Sequence, residues 1–237
     1  MALQGVIFDW GGTLTRPIEV IYEVDTWGAA ARRLHPERYE EIIERVNDIE
    51  TRLWELSRTS QRSAHLSKLL ASAIEELGLD VAESVVEEAV LVHLDALTPH
   101  IAHDPDAVPV LRALRDRGLK IALLSNTLWP ASFHDDFLRR DGLHELIDAR
   151  LYSSEMEFTK PHPEAFGAAL AALGIADPRE AVFVGDRPWD DIYGAKTAGL
   201  RTVHRPNPMV PHHEVVPDAV IDRLPALLEV MDRWMEP

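Results

Sequence analysis

Short, nearly continuous apolar runs that each stop at a polar residue constrain this chain most. Lys120-Ile121-Ala122-Leu123-Leu124 runs into Ser125-Asn126-Thr127, and Ala181-Val182-Phe183-Val184 runs into Gly185-Asp186. A run of the same kind opens the chain, Val6-Ile7-Phe8, and ends in Asp9. Strands without polar alternation are buried on both faces, which requires a parallel sheet with helices on either side. Helical stretches of matching length fall between them, at 108–117 before Gly118, 130–140, 163–173 before Gly174 and 189–198 before Gly199. Residues 149–152 and 201–204 read as shorter strands, 220–221 as a further one, and 224–235 as a terminal helix. The expected fold is α/β, a Rossmann-like parallel sheet whose first strand is residues 3–9.

Residues 16–100 break this alternation. Ile42, Val46, Ile49, Leu53 and Leu56 step by four and three along one side of a long helix. Leu66, Leu69, Leu70, Ala73 and Leu77 mark a second, stopped by Gly78, and Val86, Val90, Leu94 and Leu97 a third, with Asp80 and Glu83 as a capping box. An earlier helix is expected from about residue 24 to 34, before Pro36. Four helices with no strand among them predict an antiparallel bundle inserted after the first strand. The expected organisation is a core of 1–15 and 101–237 and a helical unit of 16–100.

Composition narrows the partners. A formal charge of −16 over 237 residues argues against nucleic acid and anionic membrane, both of which need clustered Lys and Arg. There is no cysteine, which excludes disulfides, thiol catalysis and Cys-ligated zinc. No basic leader and no long apolar span is evident, so a cytoplasmic location is expected.

The strand ends carry the chemistry. In an open parallel sheet the carboxyl ends of neighbouring strands line one crevice, which would gather Asp9, Ser125-Asn126-Thr127 and Gly185-Asp186. Two aspartates there repel unless a cation lies between them, and a hard divalent ion such as Mg²⁺ suits an oxygen-rich site that Asp190 and Asp191 would extend. Gly11 and Gly12 let backbone amides approach an anion. The chain has 20 arginines and only four lysines, and one of those, Lys160, stands in Thr159-Lys160-Pro161-His162-Pro163 just before a helix. A lysine there suits a compact point charge.

Together these residues resemble the haloacid dehalogenase superfamily with a helical cap after the first strand. Asp9-Trp10-Gly11-Gly12-Thr13-Leu14 resembles its first motif, Ser125-Asn126 its second, Lys160-Pro161 its third, and Gly185-Asp186 through Asp191 its fourth. The resemblance implies a phosphohydrolase acting on a small phosphorylated metabolite, in which Asp9 attacks phosphorus and forms an aspartyl-phosphate. It further implies that Ser125 binds a phosphoryl oxygen, that Lys160 offsets charge, and that Gly12, Thr13 and Asn126 bind substrate. Mg²⁺ would be held by Asp9, the Gly11 carbonyl, Asp186 and Asp191. Nothing in the sequence requires more than a monomer, and a homodimer is compatible with it.

Gly11 departs from the usual phosphatase pattern, which has an acid/base aspartate there. One alternative is the phosphonoacetaldehyde hydrolase branch, which would need Lys68 of the cap for a Schiff base; another is a non-catalytic binding protein. Dehalogenase chemistry proper is disfavoured by the acidic fourth motif. Outside the motifs, His93 is expected in the bundle core and Trp27 and Trp54 in cap packing. Arg58, Arg62, His65 and Lys68 form a basic run that could meet an anionic group of a substrate, with a solvated helix face or loop an equally good reading. His204, His212 and His213 are assigned to a Pro-rich surface loop over 204–217, without ligand partners. Trp10 is expected near the site entrance.

Overall fold

In the computed structural model, which describes residues 2–16 and 26–236 with the side chains of 57 and 58 excepted, six parallel strands form one sheet of order β3-β2-β1-β4-β5-β6. The strands are β1 (Gly5–Phe8), β2 (Lys120–Ser125), β3 (Ala149–Tyr152), β4 (Ala181–Gly185), β5 (Arg201–His204) and β6 (Ala219–Val220). Successive residues send their side chains to opposite faces. Val6, Phe8, Ile121, Leu123, Val182 and Val184 therefore join one cluster, and Ile7, Ala122, Leu124 and Phe183 another. Helices α5 (Ala107–Asp116), α6 (Ala131–Arg140) and α9 (Ala226–Met235) bury residues in the first cluster. Helices α7 (Pro163–Leu173) and α8 (Gly194–Thr197) cover the other face through Phe166, Leu170 and Ala195. The continuous apolar runs are thus explained by two-sided burial.

Among the described residues four helices, α1 (Thr26–Leu34), α2 (Tyr39–Ser60), α3 (Leu66–Glu76) and α4 (Glu83–Leu97), lie between β1 and α5 in the chain. Ile42, Val46, Leu69, Leu70, Ala89 and Leu97 form their interior, which is continuous with the first core cluster. His93 is buried there, its Nδ1 3.2 Å from the Thr26 carbonyl and its ring stacked on Trp27 at 3.7 Å. Ion pairs Arg33–Glu88 and Arg45–Glu76 tie α1 to α4 and α2 to α3 at the surface.

Several expectations need correction. The α2 stripe stops at Leu53, since Leu56 is 58% exposed. The Asp80–Glu83 capping box does not form, because α4 begins at Glu83 itself behind Ala82, two residues too late for Glu83 to be the third helical residue. Residues 24 and 25 of the expected first helix lie outside the described residues. Strand β1 covers 5–8, although Asp9 N still donates to the Val184 carbonyl at 2.9 Å. His204 closes β5, so the surface loop begins one residue later.

Two linkers join the helices to the sheet. Thr15 bridges His103, and Asp104 N donates to the Leu14 carbonyl at 2.8 Å. Arg205 fastens both linkers, donating to the Thr13 carbonyl and to Asp104 Oδ2, each at 2.6 Å. At the opposite edge of the helices Arg62 bridges Phe158 and pairs with Glu157 at 3.0 Å.

Burial differences along these elements predict sharply different mutational costs. Phe166→Ala, which empties a site against Phe183 at 5.2 Å ring separation, is expected to cost about 3–5 kcal/mol in urea unfolding. Leu56→Ala, on the exposed side of α2, is expected to stay within about 0.5 kcal/mol.

Candidate active site

The strand order reverses direction at β1, so the crevice between the carboxyl ends of β1 and β4 is the switch point where open α/β sheets hold ligands. Asp9 leaves β1 there and Asp186 leaves β4, both buried. Lys160 comes from the loop between β3 and α7, only 2% exposed. Its Nζ donates to Asp9 Oδ1 and Asp191 Oδ1, each at 2.7 Å. Asn126 fixes the lysine's backbone, accepting from Lys160 N at 2.9 Å and donating to Lys160 O at 2.8 Å. Both ends of the Asn126 amide are thus engaged with the protein, which leaves it as an anchor of Lys160. Ser125 ends β2, buried and in register with Tyr152 of β3.

Asp191 sits on a wide turn. Residues Pro188–Tyr193 form a π-helix, with Ile192 N reaching the Arg187 carbonyl at 3.3 Å, before α8 continues. An uninterrupted α-helix was the expectation for 189–198. Such insertions recur at functional sites because they re-aim side chains. Asp191 Oδ2 accepts from Arg187 N at 2.9 Å, so both its oxygens are engaged. Gly185 permits this fold-back, since a Cβ there would meet Asp191 Oδ2 at 2.4 Å.

In the loop after Asp9, Gly12 has φ +76°, and its amide donates to Thr15 Oγ1 at 3.0 Å. A Cβ on Gly12 would lie 2.3 Å from Asp186 Oδ2, so only glycine permits this approach. Thr13 Oγ1 is buried without a hydrogen-bond partner. At Gly11, by contrast, a Cβ would find nothing within 4 Å.

Burial is the largest influence on the acids, raising Asp9 to about 6 against the pull of Lys160. Asp186 is raised further, to about 8, by burial and by repulsion from Asp9 and Asp191. Burial also opposes the charge on Lys160, yet Asp191 and Asp9 more than offset it, so the lysine stays a cation. Desolvation also opposes the charge on Arg187, although its side chain is exposed, and Asp190, Asp186, Asp9 and Asp191 outweigh it. Asp190 is raised by burial and by Asp191. Four carboxylates therefore face two cations.

That imbalance matches a divalent cation. Asp9, Asp186 and Asp191 each present an oxygen within 4.8 Å of the others. Asp186 Oδ1 is buried and has no hydrogen-bond partner, an arrangement that costs free energy unless a ligand completes it. Hard oxygen donors of this kind fit Mg²⁺.

Other residues distribute differently from expectation. Trp10 does not stand at the entrance: it is 2% exposed, and its Nε1 donates to His103 Nε2 at 3.0 Å. An indole N–H only donates, so His103 holds its proton on Nδ1, which donates to Asp141 Oδ2 at 2.7 Å. His134 packs edge-on to Trp10 at 4.5 Å and is held by burial as a neutral ring, pushed down to about 3. Lys68 is exposed on α3, and His65 precedes that helix as its N-cap. The Arg58 side chain lies outside the described residues. Trp54 is 38% exposed and lines a narrow cleft with Leu53, Ser63, Ala64, Thr127, Leu128, Ser153 and Thr159. His204 has a partner after all, its Nε2 3.1 Å from the Asp186 carbonyl. His213 packs on Trp189 at 4.6 Å, and His212 is exposed. Arg187, Asn207 and the Trp10–His103–Asp141 chain were not legible as site or near-site features. Only the acidic surroundings of Arg187 in sequence hinted at its place.

Similar proteins carry the same framework. A glyceraldehyde 3-phosphate phosphatase of Methanopyrus kandleri is 34% identical over 163 residues, 67% of this chain and 69% of that protein. Phosphatase MT3486 of Mycobacterium tuberculosis is 29% identical over 232 residues, 98% of each chain. The crystal structure of a 2-haloacid dehalogenase from Pseudomonas syringae superposes with a TM-score of 0.75 at 27% identity, covering 98% of this chain and 99% of that one. Residues 3–199 match the haloacid dehalogenase-like hydrolase family, and the chain belongs to it.

Proposed function

We propose that the protein is a Mg²⁺-dependent phosphohydrolase acting on a small phosphorylated metabolite, with Asp9 as nucleophile. The observation that carries this reading is the buried Asp186 oxygen without a partner beside Asp9 and Lys160. Phosphatase names among the relatives support it. The acidic trio favours it over the haloacid chemistry named for the Pseudomonas syringae structure, which the family resemblance associates with a metal-free site. Lys68 is exposed on α3, outside the enclosed apolar setting a Schiff-base lysine uses, so that branch gains no support.

In the proposed reaction Asp9 attacks phosphorus, the bond to the leaving oxygen breaks, and water then hydrolyses the aspartyl-phosphate. Lys160 holds Asp9 Oδ1, which orients the carboxylate and offsets charge on the transferred group. Ser125 and the Gly12–Thr13 loop would bind phosphoryl oxygens. Asp9, Asp186 and the Gly11 carbonyl would hold Mg²⁺, with Asp191 acting through a water because its own oxygens are engaged. Bound there, Mg²⁺ supplies charge neutralisation and a fixed position for one phosphoryl oxygen.

Residues 16–100 would serve as a cap over this edge. The cleft between α2, the 61–64 turn and the strand ends leaves only about 10 Å³ for water, room for roughly one molecule. Movement of these helices would admit substrate, and their return would exclude water.

Three outcomes test this. Phosphate release from a metabolite panel is expected to require Mg²⁺ and to vanish in Asp9→Asn; release surviving that substitution contradicts the nucleophile assignment. Gly11→Asp places a carboxyl where a Cβ meets no atom, and is expected to speed turnover of alkyl phosphates by about 10²–10⁴-fold in steady-state assays. The third outcome is a pH dependence. Asp186 binds its proton up to about pH 8 in the folded protein, against 3.8 when unfolded. Folding then takes up a proton, so stability from this group is present at low pH and is lost as pH rises through its folded value. Buried His93 and His134, lowered to about 4 and 3, act in the opposite direction but only below 6.5. Between about pH 6.5 and 8 the metal-free protein should therefore melt at progressively lower temperature, and Mg²⁺ should reverse the decline. Differential scanning calorimetry in chelator and in Mg²⁺ measures both.

A further inference from the structure

Asp186 is gripped from two sides by the segment leaving β5. Its backbone carbonyl accepts from His204 Nε2 at 3.1 Å, and its Oδ2 accepts from Asn207 Nδ2 at 2.7 Å. The loop itself settles the orientation of the Asn207 amide. Met209 N donates to Asn207 Oδ1 at 3.0 Å, and a backbone N–H can only donate, so the end facing Asp186 is the NH₂ group. A carbonyl can only accept, so His204 presents Nε2–H in the same way.

These contacts divide the Asp186 carboxylate into two unlike oxygens. Oδ2 is held by Asn207, while Oδ1 is buried with no partner. Gly12 closes the pocket on the held side, since a Cβ there would come 2.3 Å from Asp186 Oδ2 and 2.8 Å from Asn207 Nδ2. The fixed oxygen therefore has a donor and a wall, and the other has neither. Asn207 lies 21 residues beyond Asp186, in the Pro-rich segment that reads from sequence as plain surface loop.

We propose that Asn207 is a positioning residue for divalent-cation binding: by holding Asp186 Oδ2 it keeps Oδ1 available to a cation shared with Asp9. The inference rests on the Mg²⁺ reading of the site. Partners of this kind typically change metal affinity by about 10- to 100-fold when removed. Asn207 acts through Asp186, so its removal is expected to act on cation affinity before it acts on chemistry.

The test must separate this role from the anchoring of the loop through Met209. Asn207→Ser retains an oxygen able to accept from the N–H two residues on, but has no donor long enough to reach Asp186. Asn207→Ala removes both functions. Mg²⁺ is titrated by calorimetry into chelator-stripped wild type and both variants, with the melting temperature of each metal-free protein recorded. Both variants are expected to bind Mg²⁺ about 10- to 100-fold more weakly, with the metal-free Asn207→Ser protein remaining folded and melting above Asn207→Ala. At saturating Mg²⁺, kcat should recover and the substrate KM should be unchanged. Wild-type Mg²⁺ affinity in Asn207→Ser would overturn the proposal and leave Asn207 as a loop anchor. A wild-type protein that takes up no divalent cation would overturn it together with the Mg²⁺ reading. Weakened Mg²⁺ binding in the variants, with no phosphate released from any compound by wild type, would uphold the positioning role and overturn the phosphohydrolase reading alone.

Discussion

The ammonium group of Lys160 ties three separate loops into one site. It bonds Asp9 after β1 and Asp191 on the π-turn after β4, while its own loop follows β3. All three side chains are nearly inaccessible, so each charge has given up hydration. Breaking such a buried set by removing one member typically costs about 3–5 kcal/mol, because the remaining charge is left uncompensated. The same set places Asp9, the proposed nucleophile, beside a counter-charge and a second carboxylate within one crevice. Stability and chemistry thus depend on one group of contacts.

The geometry around that lysine follows from parallel pairing. Gly5, Lys120 and Ala181 stand in register across β2, β1 and β4, so Phe8 aligns with Leu123 and Val184, and the next residues emerge at one edge together. Two glycines then allow approaches that a side chain would block, Gly12 against Asp186 and Gly185 against Asp191. The sheet brings the carboxylates together, and burial prevents water from separating their charges. A divalent cation would resolve the resulting excess of negative charge.

Much of this was legible in the sequence because it rests on local signals. Apolar runs fixed by two-sided burial marked β1, β2 and β4, and their terminal Asp9, Ser125 and Asp186 followed from the crevice rule. The rarity of lysine pointed to Lys160. Long-range contacts were not legible. Nothing local shows that Trp10 donates to His103 across 93 residues, or that Asn207 meets Asp186. The Asp80–Glu83 capping box fails because helix α4 starts at Glu83, which puts Glu83 at the first helical position and not the third. The π-turn at 188–193 was missed because a single-residue widening leaves the apolar pattern almost unchanged.

The central claim is that Asp9 forms a covalent bond to phosphorus. Rapid acid quench of the Mg²⁺-loaded protein with acetyl phosphate, followed by peptide mass spectrometry, tests it most directly. The account predicts a phosphoryl adduct confined to the peptide carrying Asp9 and sensitive to hydroxylamine. Phosphate release with no adduct at any time point, or an adduct on another residue, would contradict it.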